Sequence, residues 1–267
     1  MLSSCAFVFN ERVRAEDEQQ FAFPAEGVKL LKIDTYNGDV DLTAGGEKVV
    51  LCNARFYATG STTEKAEENL REMKIVTDID GDIMTITVPR HSSLGTSNVG
   101  AALSLTIPAG IEIDIETSNG SIETTTAFAS PRIRTSNGNI ILKSSNGPVN
   151  VRTSNGRINL TGEGNSEVKA KSSNGSIFYN GNSKDFELVT SNGRINIELP
   201  GGWDGIGYLH TSNGSIEVNC AGRLNCSLKG KASNGKIHVL GPALPEGLDS
   251  HITLKTSNGS VQVNHQE

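Results

Sequence analysis

The sequence predicts an all-β protein, built as a parallel β-solenoid with about 18–21 residues per coil and a short capping helix near its N-terminal end. A tetrapeptide recurs through the second half of the chain at spacings close to multiples of nine. Hydrophobic and polar residues alternate on both sides of it, which is typical of strands with one buried face. An antiparallel β-meander of Asn-Gly hairpins would show the same periodicity and is the alternative fold.

The tetrapeptide is Thr, Ser or Ala followed by Ser-Asn-Gly, and it occurs nine times between Thr117 and Gly259. Its asparagines are spaced by 18, 9, 9, 19, 18, 21, 21 and 24 residues, so two nine-residue units make one coil. Asn and Gly both tolerate left-handed backbone, which predicts a tight turn at each copy. The predicted turn asparagines are Asn119, Asn137, Asn146, Asn155, Asn174, Asn192, Asn213, Asn234 and Asn258.

The residues around each turn predict where the core lies. Those three and five positions after the asparagine, and those four before it, are mostly β-branched or aliphatic and are expected to point inward. The Thr or Ser two positions before the asparagine has the same parity and is expected to bond to the backbone at the corner. In a solenoid, the asparagine side chains would stack and hydrogen-bond from coil to coil.

The first 110 residues are less regular than the repeats. A helix is predicted over 62–74, because Ser61 and Glu64 form a capping box and apolar residues share one face. We expect this helix to cover one open end of the solenoid, whereas the final strand, over 260–264, shows no cap. The chain therefore divides into three predicted regions, a polar N-terminal tether over 1–20, a β-rich region over 21–110 and the repeat solenoid over 111–267.

The cysteines bear on the compartment of the protein. Met1 to Cys5 matches the end of a bacterial lipoprotein signal, with Cys5 as the lipidated residue, although the apolar stretch that should precede it is missing. This match predicts a cell-envelope or extracellular protein that meets a membrane only through a lipid anchor. Cys220 and Cys226 are close enough in sequence for a local disulfide in an oxidising compartment, and two free or buried thiols are the alternative.

The segment from Leu105 to Glu123, with the Ser-Asn-Gly copies that follow it, resembles the bacterial putative-adhesin domain family of unknown function. The degenerate copy Tyr36-Asn37-Gly38-Asp39-Val40 and the helix ahead of Asp80-Gly81-Asp82 also resemble that family. The similarity extends over roughly residues 27–265. It implies a β-solenoid-like domain, similar to an auto-transporter adhesin head and often associated with the cell envelope, but no activity and no binding residues.

A basic stripe is predicted on the outer surface. The residue three positions before each asparagine has outward parity, and six of the nine are Lys or Arg, although residues 111–267 carry 14 acids and 14 bases. Stacked coils would bring these cations into a column spaced by about 4.8 Å, where an anionic polysaccharide or a lipid-linked phosphate would bind. The alternative is that the charges keep an exposed sheet soluble. The predicted binding residues are Arg134, Lys143, Arg152, Lys171, Lys231 and Lys255, with Arg157, Arg194 and Lys236 beside the turns.

No catalytic set is recognisable in the sequence. Paired acids, a nucleophile elbow, a phosphate-binding loop and metal-ligand spacing are absent, so we predict no catalytic residue, no metal site and no cofactor. The neutral repeat half argues against nucleic-acid binding. The predicted function is a non-enzymatic, adhesin-like surface scaffold. A polysaccharide lyase or hydrolase on a parallel β-helix and a self-assembling structural scaffold are the alternatives.

Overall fold

The computed structural model of the protein describes residues 12–46, 48–90, 98–245 and 248–266. Within these ranges one short helix interrupts a 21-stranded sheet, so the predicted all-β class is confirmed. The predicted lipidation site, Cys5, lies outside the described residues. In chain order the elements are β1 (Val13–Pro24), β2 (Leu30–Asp34), β3 (Val40–Ala44), β4 (Val49–Gly60), α1 (Thr63–Arg71), β5 (Val76–Asp80), β6 (Ile83–Thr87), β7 (Val99–Ile107), β8 (Glu112–Thr117), β9 (Ile122–Thr124), β10 (Arg132–Thr135), β11 (Ile140–Thr153), β12 (Ile158–Ser172), β13 (Ile177–Gly181), β14 (Asp185–Thr190), β15 (Ile195–Leu199), β16 (Ile206–Thr211), β17 (Ile216–Cys220), β18 (Ser227–Ala232), β19 (Ile237–Leu240), β20 (His251–Thr256) and β21 (Val261–Asn264).

The strands stack as two ladders whose inner sides enclose one core. Ladder A has the order β5-β6-β2-β8-β10-β11-β12-β14-β16-β20-β18. Ladder B has the order β1-β4-β7-β3-β9-β11-β12-β13-β15-β17-β21-β19. The long strands β11 and β12 bend at one edge and contribute to both ladders. Neighbouring strands from β6 to β18 and from β7 to β19 are parallel, so the antiparallel meander is wrong.

Each coil of the repeat runs along ladder A, turns at Ser-Asn-Gly and returns along ladder B. We call the edge with these turns the Asn rim and the opposite edge the far rim, and we call the outer surfaces of the two ladders face A and face B. Equivalent residues of successive coils lie in register and form columns. In the repeat coils before the last coil of the stack, every residue of the two innermost columns is at most 1% exposed, with burial contributing about 1.5–3 kcal/mol for each large side chain. These residues are Ile115, Ile133, Val151, Ala170, Leu188, Leu209 and Leu254 in ladder A, and Ile122, Ile140, Ile158, Ile177, Ile195, Ile216 and Val261 in ladder B.

A continuous ladder of asparagine side chains runs along the Asn rim. Each side-chain amide donates to the Oδ1 of the asparagine in the preceding coil of the stack, at 2.7–2.8 Å. Asn37, from the degenerate copy, begins the ladder and donates to the carbonyl of Val99. Each asparagine thus links its own coil to the neighbouring coil, which confirms the predicted side-chain hydrogen bonding from coil to coil. The order is Asn37, Asn119, Asn137, Asn155, Asn174, Asn192, Asn213, Asn258 and Asn234.

The glycines of the Asn rim serve close packing. A Cβ built on Gly156 would lie 1.8 Å from the carbonyl oxygen of Gly138 in the preceding coil, so no side chain fits there. The inward Thr and Ser hydroxyls hydrogen-bond to the backbone of these turns. Thr153 Oγ1, for example, donates to the Gly138 carbonyl at 3.0 Å. The expected left-handed backbone occurs instead at Asn146 (φ 58°) and Gly147 (φ 68°), which lie at the far rim. Asn146 is therefore a turn residue, but it is not part of the asparagine ladder.

The last coil in sequence is not the last coil in space. Strand β20 lies between β16 and β18, and β21 lies between β17 and β19. The final strand is thus an internal one, and the expectation that it forms the uncapped edge is wrong. The true end of the stack is formed by β18 and β19, where Ile237 is 42% and Val239 44% exposed although both have inward parity. Gly230 replaces the usual apolar residue there, and the Ile237 side chain lies over it.

Near the opposite end, α1 packs against β1 and β4 of ladder B, so the predicted helix near the N-terminal end is present, with small differences in detail. The N-cap is Thr62 rather than Ser61, because the Thr62 hydroxyl accepts from the backbone N–H of Lys65 at 3.3 Å. Ala66 is fully buried against Gly60 at the C-terminal end of β4. In the described part of the chain, no helix is long and apolar enough to cross a membrane.

Residues 13–20, placed in the tether by the sequence prediction, form most of β1. This strand pairs antiparallel with β4 along its whole length. It carries the charged run Glu16-Asp17-Glu18, which protects an edge strand from unwanted pairing. The predicted boundary at 110/111 falls in the connection between β7 and β8. Strand β7 pairs with β3 and β8 pairs with β2, and β2 and β3 belong to one coil, so the stack continues across this boundary.

Cys220 and Cys226 are both free and buried, so the predicted disulfide is not formed in this structure. The Cys220 thiol donates to the carbonyl of Pro200 at 3.1 Å. Burial first, and then the neighbouring Cys220, raise the pKa of Cys226 to about 12. The second interpretation of the sequence, two buried thiols, therefore describes the structure.

Two further residues are buried at the far rim. Trp203 is 3% exposed, packs 5.3 Å from the ring of Phe186 and donates its indole N–H to the carbonyl of Ser183 at 2.8 Å. It caps the core and is not available to stack on a sugar. His265 is 4% exposed, and burial lowers its pKa.

Candidate anion-binding face

Face A carries the predicted cationic column on successive coils. Arg134 is in register with Arg152, and Arg152 is in register with Lys171. All three are exposed and stand three positions before an asparagine of the ladder. The column runs from an acidic start to a basic end, in the order Asp34, Glu116, Arg134, Arg152, Lys171, Val189, His210, Lys255 and Lys231.

A second outward column, which the sequence prediction missed, lies beside the first. Its residues stand five positions before each asparagine of the ladder. This position has the same outward parity as the first column, so the sequence pattern could have revealed it. This second column adds four cations to the face, Lys32, Arg132, Lys169 and Lys229. The full order is Lys32, Asp114, Arg132, Asn150, Lys169, Glu187, Tyr208, Thr253 and Lys229.

Some of these cations have acidic partners. Lys171 Nζ lies 2.7 Å from Glu187 Oε1, and Arg132 lies 3.8 Å from Asp114. Exposed pairs of this kind contribute only about 0–1 kcal/mol and exchange readily for another anion. Within the described residues, the cations without an ion pair on this face are Lys32, Arg134, Arg152, Lys229, Lys231 and Lys255.

An aromatic pair interrupts the cations near the C-terminal end of face A. The rings of Tyr208 and His210 stack with centroids 6.3 Å apart. Lys255 Nζ lies 5.2 Å above the Tyr208 ring, within cation–π range. These contacts hold Lys255 at the surface, with apolar ring area and positive charge side by side.

The structure does not place every predicted binding residue on face A. Lys143 lies on face B. The turn at Asn146 belongs to the far rim, so the residues just before it run along ladder B and not along ladder A. Lys143 Nζ donates to the carbonyl of Thr125 at 3.2 Å, so its assignment to the stripe is wrong. Arg157, Arg194 and Lys236 lie on the other side of the Ser-Asn-Gly turns, just before strands of ladder B.

Face B has the opposite charge. Its outward positions hold one cation, Lys143, among the described residues of the parallel coils, whereas the acids are Asp41, Glu123, Glu198 and Glu217. Asp41 is in register with Glu123, and its pKa is raised by burial first and then by the charges of Glu123 and Asp39. The outward strand positions of face A thus hold most of the cations, together with acids such as Glu116 and Glu187, whereas those of face B hold more acids than bases.

These features define a parallel two-layered β-solenoid with one charged face on each side. The chain belongs to the Toastrack DUF4097 family, whose model matches residues 28–266. The resemblance drawn from the sequence, to a putative-adhesin family of unknown function, is thereby confirmed. No curated protein matches the sequence of this chain.

Two solved structures are similar to this chain at low sequence identity. A putative adhesin from Bacteroides fragilis is similar with a TM-score of 0.51 and 11% identity, over 93% of this chain and 97% of that one. A putative cell adhesion protein from Clostridium sporogenes is 13% identical, with a TM-score of 0.30, over 95% of this chain and 100% of that one. At 11% identity, the similarity to the Bacteroides fragilis structure supports only the fold.

Proposed function

We propose that this protein is a non-enzymatic, adhesin-like surface scaffold that holds an anionic polymer, such as an acidic polysaccharide, along face A. The observation that carries the proposal is the column of Arg134, Arg152 and Lys171 on three successive coils. Arg134 and Arg152 have no acidic partner within the described residues, and the Lys171 pair is exposed. A polymer with a charge on each unit would meet several of these cations at once, and the contacts reinforce one another because they are linked.

The spacing of the cations supports an extended ligand. Neighbouring strands of a sheet lie about 4.8 Å apart, so the column repels itself unless an anion lies along it. A compact ligand would engage only two or three cations. Face B has no comparable run of cations on successive coils among its described strand positions, so the polymer would lie along face A.

The location and the lack of catalysis are parts of the same proposal. The Bacteroides fragilis neighbour is described as a putative adhesin, which agrees with a protein of the cell envelope or the outside of the cell. Lipid at Cys5 would anchor the scaffold. A polysaccharide-cleaving enzyme would need acids gathered in a cleft. Asp41 and Glu123 are in register on face B, whereas Glu217 stands several coils away from them.

Retention on polygalacturonate tests the ligand class. The variant Arg134→Glu/Arg152→Glu/Lys171→Glu is expected to bind at least about tenfold more weakly than the unchanged protein, since three contacts of up to about 1 kcal/mol each are lost and three repulsive charges are added. Raising the salt concentration is expected to release the unchanged protein, because exposed charges are screened. The measurement is affinity electrophoresis in gels with and without the polymer, and polyphosphate in parallel gels separates carboxylate from phosphate preference.

A matched variant, Lys48→Glu/Lys74→Glu/Lys143→Glu, changes the net charge by the same amount at positions away from face A. It is expected to keep more than half of the binding. Equal loss in the two variants would show that net charge and not the column governs retention, and unchanged binding after the face A substitutions would remove the proposal.

A further inference from the structure

The two ends of the stack carry opposite charges on ladder A. At the C-terminal end, Lys229 and Lys231 point outward from β18 and are exposed. At the N-terminal end, Asp78 and Asp80 have outward parity on β5 and are exposed. None of the four forms an ion pair in the part of the chain that the structure describes. Both sets are therefore available to a partner.

Both ends also present an open strand edge with apolar residues. In the described ranges, β18 pairs only with β20, and β5 pairs only with β6. Ile79 on β5 is 52% exposed, and Ile237 beside β18 is 42% exposed. An open edge leaves backbone N–H and C=O groups ready to pair with another strand. Charge of opposite sign, free backbone groups and apolar surface thus coincide at the two ends.

We propose that copies of this chain associate head to tail, with β5 of one molecule adding to β18 of the next. The strand directions allow it. Ladder A is parallel from β6 to β18, whereas β5 is antiparallel to β6. A second copy shifted along the stack therefore brings β5 antiparallel to β18, which continues ladder A across the junction.

The side chains match in one register of this pair. When Asp78 lies opposite Lys231, the antiparallel arrangement places Asp80 opposite Lys229, so both ion pairs form on the outer face. The same register sets the inward Ile79 opposite Gly230, where the exposed side chains of Ile79 and Ile237 would pack against each other. Because the two surfaces differ, the association is open-ended and adds molecules in a row.

Sedimentation velocity over a range of protein concentrations tests this proposal. The unchanged protein is expected to associate at low salt, and the association is expected to weaken as sodium chloride rises to 1 M. The variants Lys229→Glu/Lys231→Glu and Asp78→Lys/Asp80→Lys are each expected to remain monomeric. Mixing the two variants is expected to restore association, because each then offers an end of the sign that the other lacks.

Restoration on mixing also shows that both variants are folded, and it separates this interface from polymer binding. Arg134→Glu/Arg152→Glu, in the middle of face A, is expected to leave association unchanged. A protein that stays monomeric at every concentration would overturn the proposal. So would association that is lost in Lys229→Glu/Lys231→Glu but kept in Asp78→Lys/Asp80→Lys, since two C-terminal ends would then be meeting.

Discussion

Replacing Gly156 by Ala is expected to lower the free energy of unfolding by about 3 kcal/mol or more, or to prevent folding. The added Cβ would lie 1.8 Å from the carbonyl oxygen of Gly138 and 3.1 Å from the Thr153 hydroxyl. The first obstacle is backbone, which cannot rotate away, so the two coils must separate and their hydrogen bonds must lengthen. Urea unfolding followed by circular dichroism measures the change.

Gly81→Ala is the matched control for this substitution. Gly81 has a φ of 61°, and a Cβ built on it would meet nothing within 4 Å. The cost there is limited to left-handed backbone, about 1–2 kcal/mol. If Gly156→Ala were no more destabilising than Gly81→Ala, the turn glycines would not be packed against one another as described.

Ile216→Ala is expected to destabilise the protein by about 2–5 kcal/mol, whereas Ile237→Ala is expected to cost less than about 1 kcal/mol. Both residues stand three positions after a motif asparagine and look equivalent in sequence. Ile216 is 0% exposed between two coils, whereas Ile237 is 42% exposed at the end of the stack. The same urea titration compares the two variants, and similar losses would contradict the coil order.

Much of the fold follows from the sequence because each coil has its own copy of one turn. Ser-Asn-Gly marks the Asn rim, and the parity of the flanking residues gives the core on one side and face A on the other. The order of the last two coils could not be predicted in this way. Val261 and Ile237 are both β-branched and fit either place. The one local sign is Gly230, at a position that holds Ile, Leu, Val or Ala in the other copies.

The candidate face was predicted in part for the same reason. Arg134, Arg152 and Lys171 were placed correctly, because their turns belong to the Asn rim. Lys143 was misplaced because its motif is identical in sequence to the others, although a spacing of nine residues is half a coil and puts Asn146 at the far rim. Local sequence cannot distinguish the two rims, since both require a turn.

The N-terminal strand shows a different limit of the sequence. The run Glu16-Asp17-Glu18 lacks apolar alternation and was therefore interpreted as a tether. Its strand structure comes from pairing with β4, where Asp17 lies opposite Phe56 and Glu18 opposite Arg55. An edge strand needs one partner and few buried side chains, so tertiary pairing decides its structure.

Disulfide trapping along the Asn rim tests most directly that the coils are stacked in register and in the described order. Asn258 Nδ2 lies 2.7 Å from Asn213 Oδ1, whereas Asn234 is one coil further away. In a protein with Ser in place of Cys5, Asn213→Cys/Asn258→Cys is expected to form a disulfide on mild oxidation, because adjacent strands lie within reach of the bond. Asn213→Cys/Asn234→Cys is expected to remain reduced. Efficient trapping of the second pair, with none of the first, would contradict this order of coils.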